Sequence, residues 1–286
     1  MQVLRTVVLA ALPLTACSQL PDPGRAPAGE RAAPPREVPV AAPAGVNLTA
    51  SQKRAIGRKI WQNESSGTIK GLTHWNEGEE FPSMGIGHFI WYPKGFNGRW
   101  TETFPEFIRF ARARGVGNIP AVAMLPDCPW NSRAAFYRDF EGERLRGLRN
   151  WLANSIDLQT DFIMFKSRAA LPEIMAAAPA AERARIKANY EKVATTPNGV
   201  YALIDYVNFK GAGTNPREQY KGQGWGLMWA LMEMRDVPAG PAAATEFGRA
   251  TFRCLDRRIA NSPPARGEKR WREGWRNRCY GYGNPL

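Results

Sequence analysis

Histidine and cysteine are scarce in this sequence of 286 residues, which contains two histidines and four cysteines. With only His74 and His88 available, a zinc hydrolase built on two or three histidine ligands is difficult to assemble. The sequence also has no internal repeat, no phosphate-binding loop and no dinucleotide-binding glycine pattern. We therefore expect neither a metal nor an organic cofactor.

Basic side chains outnumber acidic ones, and the formal net charge is +13. A basic surface favours an acidic partner. In the cytosol that partner would first be sought among nucleic acids. Outside the inner membrane the abundant acidic polymers are the cell wall and lipopolysaccharide. The cellular location of the protein therefore decides between nucleic acids and these envelope polymers.

The first 16 residues have the features of a bacterial export signal. Arg5 precedes a short apolar run over 6–14, and small residues then lead to a cysteine in the motif Leu-Thr-Ala-Cys, which ends at Cys17. The run is too short to span a bilayer, which takes about 20 residues, and it is typical of a signal peptide. The motif resembles the lipobox of bacterial lipoproteins, which implies removal of 1–16 and a lipid on Cys17. Because Ser18 follows rather than an aspartate, the resemblance implies an outer-membrane lipoprotein whose domain faces the periplasm.

Residues 17–46 are rich in proline, alanine and glycine and have almost no large apolar side chains. Such a segment buries too little surface to offset its ordering entropy, and its prolines keep it semi-extended. We predict a tether that holds one folded domain, 47–286, at a distance from the membrane.

The folded part is predicted to be mainly α (α+β), with a small sheet in its N-terminal third. Thr49 and Gln52 fit a capping box at the start of a helix, which is expected to end near Asn63-Glu64 because Ser-Ser-Gly follows. Short strand-like runs come next, over 71–93. Helical apolar spacing then recurs over 104–113, 132–153, 171–195, 201–209, 224–234, 246–261 and 269–278.

The chemically informative residues lie at the end of the first predicted helix and in the hairpin that follows. Glu64 is preceded by Ile60 and Trp61, so we expect its carboxyl group to be partly desolvated and its pKa to be raised. A general acid that works near neutral pH requires this. The hairpin adds further carboxylates, a hydroxyl and glycines that let the backbone approach a sugar ring closely.

These residues resemble the lysozyme-like superfamily. The Gly-Ile-Gly-His sequence that ends at His88 is similar to the hairpin of phage-type lysozymes, and Asn-Glu-Ser-Ser-Gly around Glu64 looks like the Glu-Ser motif of soluble lytic transglycosylases. The resemblance implies that Glu64 is the catalytic acid and that Ser83 supplies a hydroxyl. It implies Glu77 as the second acid, and a small shift would put Glu79 or Glu80 in its place.

The resemblance also implies a set of substrate-binding residues. They are Trp75, Glu79, Gly85, Gly87 and His88 from the hairpin region, Tyr206 and Asn208 at the end of an apolar helix, and Trp275 in the last helix. Residues 100–194 have no counterpart in the resemblance and are expected to be an inserted helical region.

Together these features predict an enzyme that cleaves the glycan strands of peptidoglycan, and no nucleic-acid partner. Hydrolysis and lytic transglycosylation both remain open. Two alternatives also stay open: a non-catalytic peptidoglycan-binding lipoprotein with a lysozyme-like fold, and a glycosidase for another amino-sugar polymer such as chitosan.

The periplasm is oxidising, so a disulfide is plausible among the three remaining cysteines. Three pairings are possible. Cys254 and Cys279 are the favoured pair because they lie close in sequence, which would leave Cys128 free.

Overall fold

The computed structural model describes residues 47–98 and 100–286. The predicted signal peptide (1–16), the predicted lipid on Cys17 and the predicted tether (17–46) lie outside the described residues. Within the part described, no helix is both long enough and apolar enough to cross a bilayer.

The first helix, α1 (Ala50–Ser65), begins and ends where its local signals predict. The backbone N–H of Gln52 donates to the Thr49 hydroxyl, and the backbone N–H of Thr49 donates to the Gln52 side chain, so the capping box is formed. Ser66 adopts the left-handed conformation that ends the helix. Ile56 and Ile60 are buried, which fixes the face that α1 turns to the core.

A three-stranded antiparallel sheet follows, as the strand-like runs predict. Its strands are β1 (Thr73–His74), β2 (Ser83–Met84) and β3 (Phe89–Ile90), with β2 in the centre. Ser83 is opposite both His74 and Ile90 in the register. The turn between β2 and β3 has Gly85 and His88 at positive φ, and this turn aims the His88 ring.

The remaining elements make the chain mainly α-helical. The helices are α2 (Phe104–Ala113), α3 (Arg133–Arg138), α4 (Glu143–Ala153), α5 (Ile156–Ala177), α6 (Arg183–Val193), α7 (Pro197–Lys210), α8 (Leu227–Glu233), α9 (Pro241–Asn261) and α10 (Arg272–Tyr280). A two-stranded antiparallel sheet, β4 (Gln219–Tyr220) and β5 (Gln223–Gly224), lies between α7 and α8.

Several predicted helices have wrong bounds: α7 and α9 begin at Pro197 and Pro241, before their predicted starts, α8 begins at Leu227, after its predicted start, and two predicted helices are divided. The single helix expected over 132–153 is α3 and α4, separated by a turn. The helix expected over 171–195 is the end of α5 followed by α6, with the break at Ala178. Pro179 disfavours helical geometry at the residue before it, and this explains the break.

One continuous hydrophobic core runs through the described chain. The long helix α5 packs on α1 at Gly57, where a methyl group would overlap the hydroxyl of Thr160. Helix α9 packs against α7, α8 and α10. Its Gly248 admits the carbonyl of Cys279 from α10, so the last helix lies close against the core.

The predicted disulfide between Cys254 and Cys279 is wrong, because Cys128, Cys254 and Cys279 are all free and buried. Cys254 faces the guanidinium of Arg257, whereas Cys279 is hydrogen-bonded to Thr251, about one turn earlier on α9. The helices that carry the two cysteines, α9 and α10, pack against each other, but their two thiols do not face each other.

Candidate active site

The elements named above converge on a cavity of about 310 Å³. Five of the side chains that line it come from distant parts of the chain. Glu64 comes from the end of α1, Ser83 and His88 from the small sheet and its turn, Asn208 from α7 and Arg278 from α10.

Glu64 is held by several polar contacts, with 9% of its side chain exposed. Its Oε1 accepts hydrogen bonds from Nη2 of Arg278 at 2.6 Å and from Nδ2 of Asn208 at 3.3 Å. Its Oε2 lies 3.6 Å from Nδ1 of His88. The carboxylate is therefore contacted by residues from α7, from α10 and from the turn between β2 and β3.

The expectation of a raised pKa for Glu64 is wrong. Burial raises the pKa, as expected, but the charges of Arg278, His88 and Lys210, together with the Arg278 hydrogen bond, outweigh burial and lower the pKa below its usual value. The largest of these lowering influences, that of Arg278, comes from α10, far along the chain.

Behind Glu64, Arg278 is anchored by a buried carboxylate, Asp205 of α7. Nε and Nη2 of Arg278 donate to Asp205 at 2.8 and 2.9 Å. The Tyr282 hydroxyl and the Asn63 amide also donate to Asp205, at 2.7 and 3.2 Å. One guanidinium thus joins a carboxylate in the core to a carboxylate in the cavity.

His88 contributes a neutral ring to the site. Its pKa is lowered chiefly by burial, and the charge of Glu64 only partly offsets that effect. A histidine with a pKa below its usual value is uncharged at neutral pH. Arg278 is therefore the principal cation acting on Glu64 under those conditions.

The hairpin region adds the carboxyl group of Glu79 to the cavity wall. Its Oε2 accepts from Nδ2 of Asn76 at 3.0 Å, and its backbone carbonyl accepts from the Trp75 indole at 2.7 Å. Burial raises the pKa of Glu79 to about 7, and the hydrogen bond from Asn76 only partly opposes this. Among the described residues no cation pairs with it.

Aromatic rings and small groups complete the walls. Ser83, in β2, is buried and lines the cavity together with Gly87. The hairpin region and the loop after it also supply Phe81 and Trp100, and the helical part supplies Phe209, Trp225 and Trp275. Rings of this kind provide flat apolar surfaces with polar groups at their edges.

Neither a protein family nor a curated relative matches this chain. In the described ranges, no cluster of three or more histidine, cysteine, aspartate or glutamate side chains is arranged to hold a metal ion.

The structure brings most of the predicted site residues to this cavity. They are Glu64, Glu79, Ser83, Gly87, His88, Asn208 and Trp275. Trp275 is 5% exposed and packs on Trp271.

Four predicted residues lie away from the cavity wall. Glu77 is exposed on the turn before β2 and does not reach the interior of the site. Trp75 is buried with its ring against Phe136. Tyr206 is buried and donates its hydroxyl to the Trp225 carbonyl, and Gly85 admits the side chain of Gln159, so both have structural roles.

Sequence reasoning missed several residues of the cavity, above all Arg278. It lies in a stretch rich in tryptophan and arginine, where nothing local distinguishes one arginine from the next. Lys210 was also missed, although it is the last residue of α7, the helix that contains the predicted residues Tyr206 and Asn208. Its Nζ lies 4.1 Å from the centre of the Trp275 ring, which places a cation at the aromatic wall.

Proposed function

We propose that this protein is a lysozyme-like enzyme that cleaves the glycan strands of peptidoglycan. The observation that carries the proposal is the position of Glu64, which is held by Arg278 in the wall of a cavity that also contains Glu79 and Ser83. Enzymes that cleave glycosidic bonds commonly use a pair of carboxyl groups beside the bond that breaks. The two glutamates meet that need.

The environments of the two carboxyl groups differ in the way that acid–base chemistry requires. Glu64 has a lowered pKa and is ionised at neutral pH, whereas Glu79 has a pKa of about 7. A site with one carboxylate and one protonated carboxyl group has both partners of a glycosidase reaction available. Ser83 adds a group able to orient a water molecule or a sugar hydroxyl.

The rival glycosidase function is less well supported by the charges of the cavity. Chitosan is cationic, and a site for it would be expected to be dominated by carboxylates. The cavity is lined by three glutamates, Glu64, Glu79 and Glu218, and by as many basic residues, Lys210, Arg258 and Arg278, so carboxylates do not dominate it. This balance favours a glycan that is neutral or carries carboxyl groups, as peptidoglycan does.

The rival non-catalytic function predicts that no acid or hydroxyl shares a groove with Glu64. Glu79 and Ser83 line the same cavity as Glu64, which favours an enzyme.

The proposed cellular location is consistent with the substrate. With the predicted lipid on Cys17 and the predicted tether 17–46, the domain would reach peptidoglycan from the outer membrane.

Digestion of purified peptidoglycan sacculi tests the function. The protein, its Glu64→Gln variant and a Glu80→Gln control are incubated with sacculi, and the released sugars are analysed by mass spectrometry. Glu80 is exposed and does not line the cavity, so its variant controls for loss of one charge. Reducing-end products from the native protein and the control alone would establish a lysozyme, and anhydro-ended products a lytic transglycosylase.

The same experiment separates the non-catalytic alternative. If the native protein and Glu64→Gln both bind sacculi and neither releases sugars, the catalytic proposal fails. The protein would then be a peptidoglycan-binding lipoprotein.

A further inference from the structure

We propose that Glu79, in the segment between β1 and β2, is the proton donor of this site, and that Glu64 remains an anion throughout the reaction. The inference rests on the proposed function, because it assigns the roles of two carboxyl groups in a glycan-cleaving cavity. It reverses the assignment that the resemblance implies, in which Glu64 is the acid.

The contacts of Glu64 oppose its protonation. Oε1 of Glu64 is 2.6 Å from Nη2 of Arg278, the geometry of a charge-assisted hydrogen bond. Arg278 is held in place by Asp205, and the side chain of Arg278 is only 3% exposed, so the pair with Glu64 is largely shielded from water. A proton on Glu64 would leave a buried guanidinium with one of its two carboxylates neutralised.

The contacts of Glu79 favour a protonated carboxyl group. Its side-chain partner is the neutral amide of Asn76, and the apolar residue Phe81 lies beside it in the cavity wall. A carboxyl group removed from water without a cation is more stable in its neutral form. The pKa of about 7 agrees with this geometry.

The charged and titratable groups around Glu79 leave this conclusion unchanged. On the far side of Asn76 lies His74, which Asn76 also hydrogen-bonds and whose pKa is lowered chiefly by burial, so its ring is neutral at pH 7. Tyr137 bonds to the His74 ring, and Arg133 donates to the Trp75 carbonyl. The other charged or titratable groups of the cavity are Glu64, His88, Lys210, Glu218, Arg258 and Arg278, and burial and the Asn76 bond are the influences that set the Glu79 pKa.

The proposed step moves one proton and breaks one bond. The Glu79 carboxyl group donates its proton to the glycosidic oxygen, and the bond between that oxygen and the anomeric carbon breaks with its electron pair remaining on the oxygen. The positive charge that develops at the anomeric carbon is stabilised by the Glu64 carboxylate. A water molecule then adds its oxygen to that carbon and gives its proton to the Glu79 carboxylate, which restores both groups.

The experiment is the pH dependence of sugar release from sacculi by the native protein, Glu79→Gln and the control Glu80→Gln. The native rate is expected to decline above pH 7, as Glu79 loses its proton. Glu79→Gln is expected to lose at least about 100-fold in rate, the lower end of what a general acid contributes. Glu80→Gln is expected to keep both the native rate and the native pH profile.

A second substrate distinguishes loss of the proton donor from loss of the fold. A dinitrophenyl glycoside of the same glycan has a leaving group that needs no proton, so Glu79→Gln is expected to release dinitrophenol in the first turnover at a rate near that of the native protein. Glu64→Gln is expected to be inactive on both substrates, because the developing positive charge lacks its anion.

Two results would overturn the inference in different ways. If Glu79→Gln digests sacculi with the native rate and pH profile, Glu79 is not the donor, and the proposed function stands with Glu64 as the acid. If Glu79→Gln is equally impaired on both substrates, Glu79 does not act by donating a proton. Failure of the native protein to release any sugar would instead remove the proposed function itself.

Discussion

Arg278 lies 2.6 Å from Glu64, although 214 residues separate them in the chain. The same guanidinium donates twice to Asp205, so its charge is shared between two carboxylates that face different surroundings. Because the Asp205 side chain is fully buried and Glu64 borders the cavity, the arrangement couples the stability of the core to the charge of the site.

Replacing Asp205 by alanine is expected to destabilise the protein strongly. Removing one partner of a buried ion pair leaves an incompletely compensated charge, at a cost of about 3 kcal/mol or more in the free energy of unfolding. Urea-induced unfolding measures this. Asp236→Ala is the matched control, because Asp236 is exposed and pairs with Lys192 at the surface, where ion pairs contribute little. Equal effects of the two variants would contradict a structural role for Asp205.

Glu79→Gln is expected to alter how stability depends on pH. The Glu79 pKa is about 7 in the folded protein against a usual value of 4.5, so the folded state holds its proton longer than the unfolded chain does. The contribution of this group is therefore greatest below pH 4.5 and is lost as the pH rises to about 7. The melting temperature of Glu79→Gln minus that of the native protein is expected to increase over that interval and then level off. A difference that does not change with pH would show an ordinary, exposed glutamate.

The three cysteines of the described chain are expected to remain thiols after purification in air. All three are buried, and burial raises the pKa of Cys128 and Cys254 to about 12 and that of Cys279 to about 11, so little reactive thiolate forms. Alkylation without reductant, followed by peptide mapping, is expected to label each cysteine after unfolding and hardly at all before. Recovery of a peptide that links Cys254 to Cys279 would show that the disulfide forms after all.

Gly57→Ala is expected to cost about 1 to 3 kcal/mol, the usual range for overpacking, because the new methyl group meets the Thr160 hydroxyl. Combining it with Thr160→Ala is expected to recover part of the loss. The control is Gly147→Ala in α4, where the methyl group meets nothing and the helix gains roughly 0.5 to 1 kcal/mol. Thermal unfolding of the native protein, the two single variants Gly57→Ala and Thr160→Ala, the double variant and Gly147→Ala measures the effects, and an additive double variant would rule out contact between α1 and α5 at this point.

The parts of the fold that were predictable are those with local signals. The capping box at Thr49 defines the start of α1, and the glycines around Ile86 define the turn of the small sheet. The bounds of α5 were not predictable, because its buried face includes the polar residues Gln159, Thr160 and Ser167 whereas Phe165 is exposed, and this blurs the apolar stripe of the helix. The length of such a helix depends on tertiary packing, which a local sequence pattern does not predict.

The site divides in the same way. Glu64, Ser83 and His88 follow one another within 25 residues and were recognisable together. The direction of the Glu64 pKa was not, since it depends on Arg278, whose position results from the packing of α10 on α9. Local residues can predict that a carboxylate is buried, but the sign of its pKa shift depends on which charge is buried with it.

The place of Arg278 near the end of the chain also determines when the charged centre comes into being. During synthesis Glu64 leaves the ribosome 214 residues before the arginine that holds it, so a nascent or truncated chain has the glutamate without its guanidinium. Folding of the last helix is thus the event that completes the site. For the proposed wall-cleaving enzyme, a chain that stops before α10 is therefore expected to be inactive.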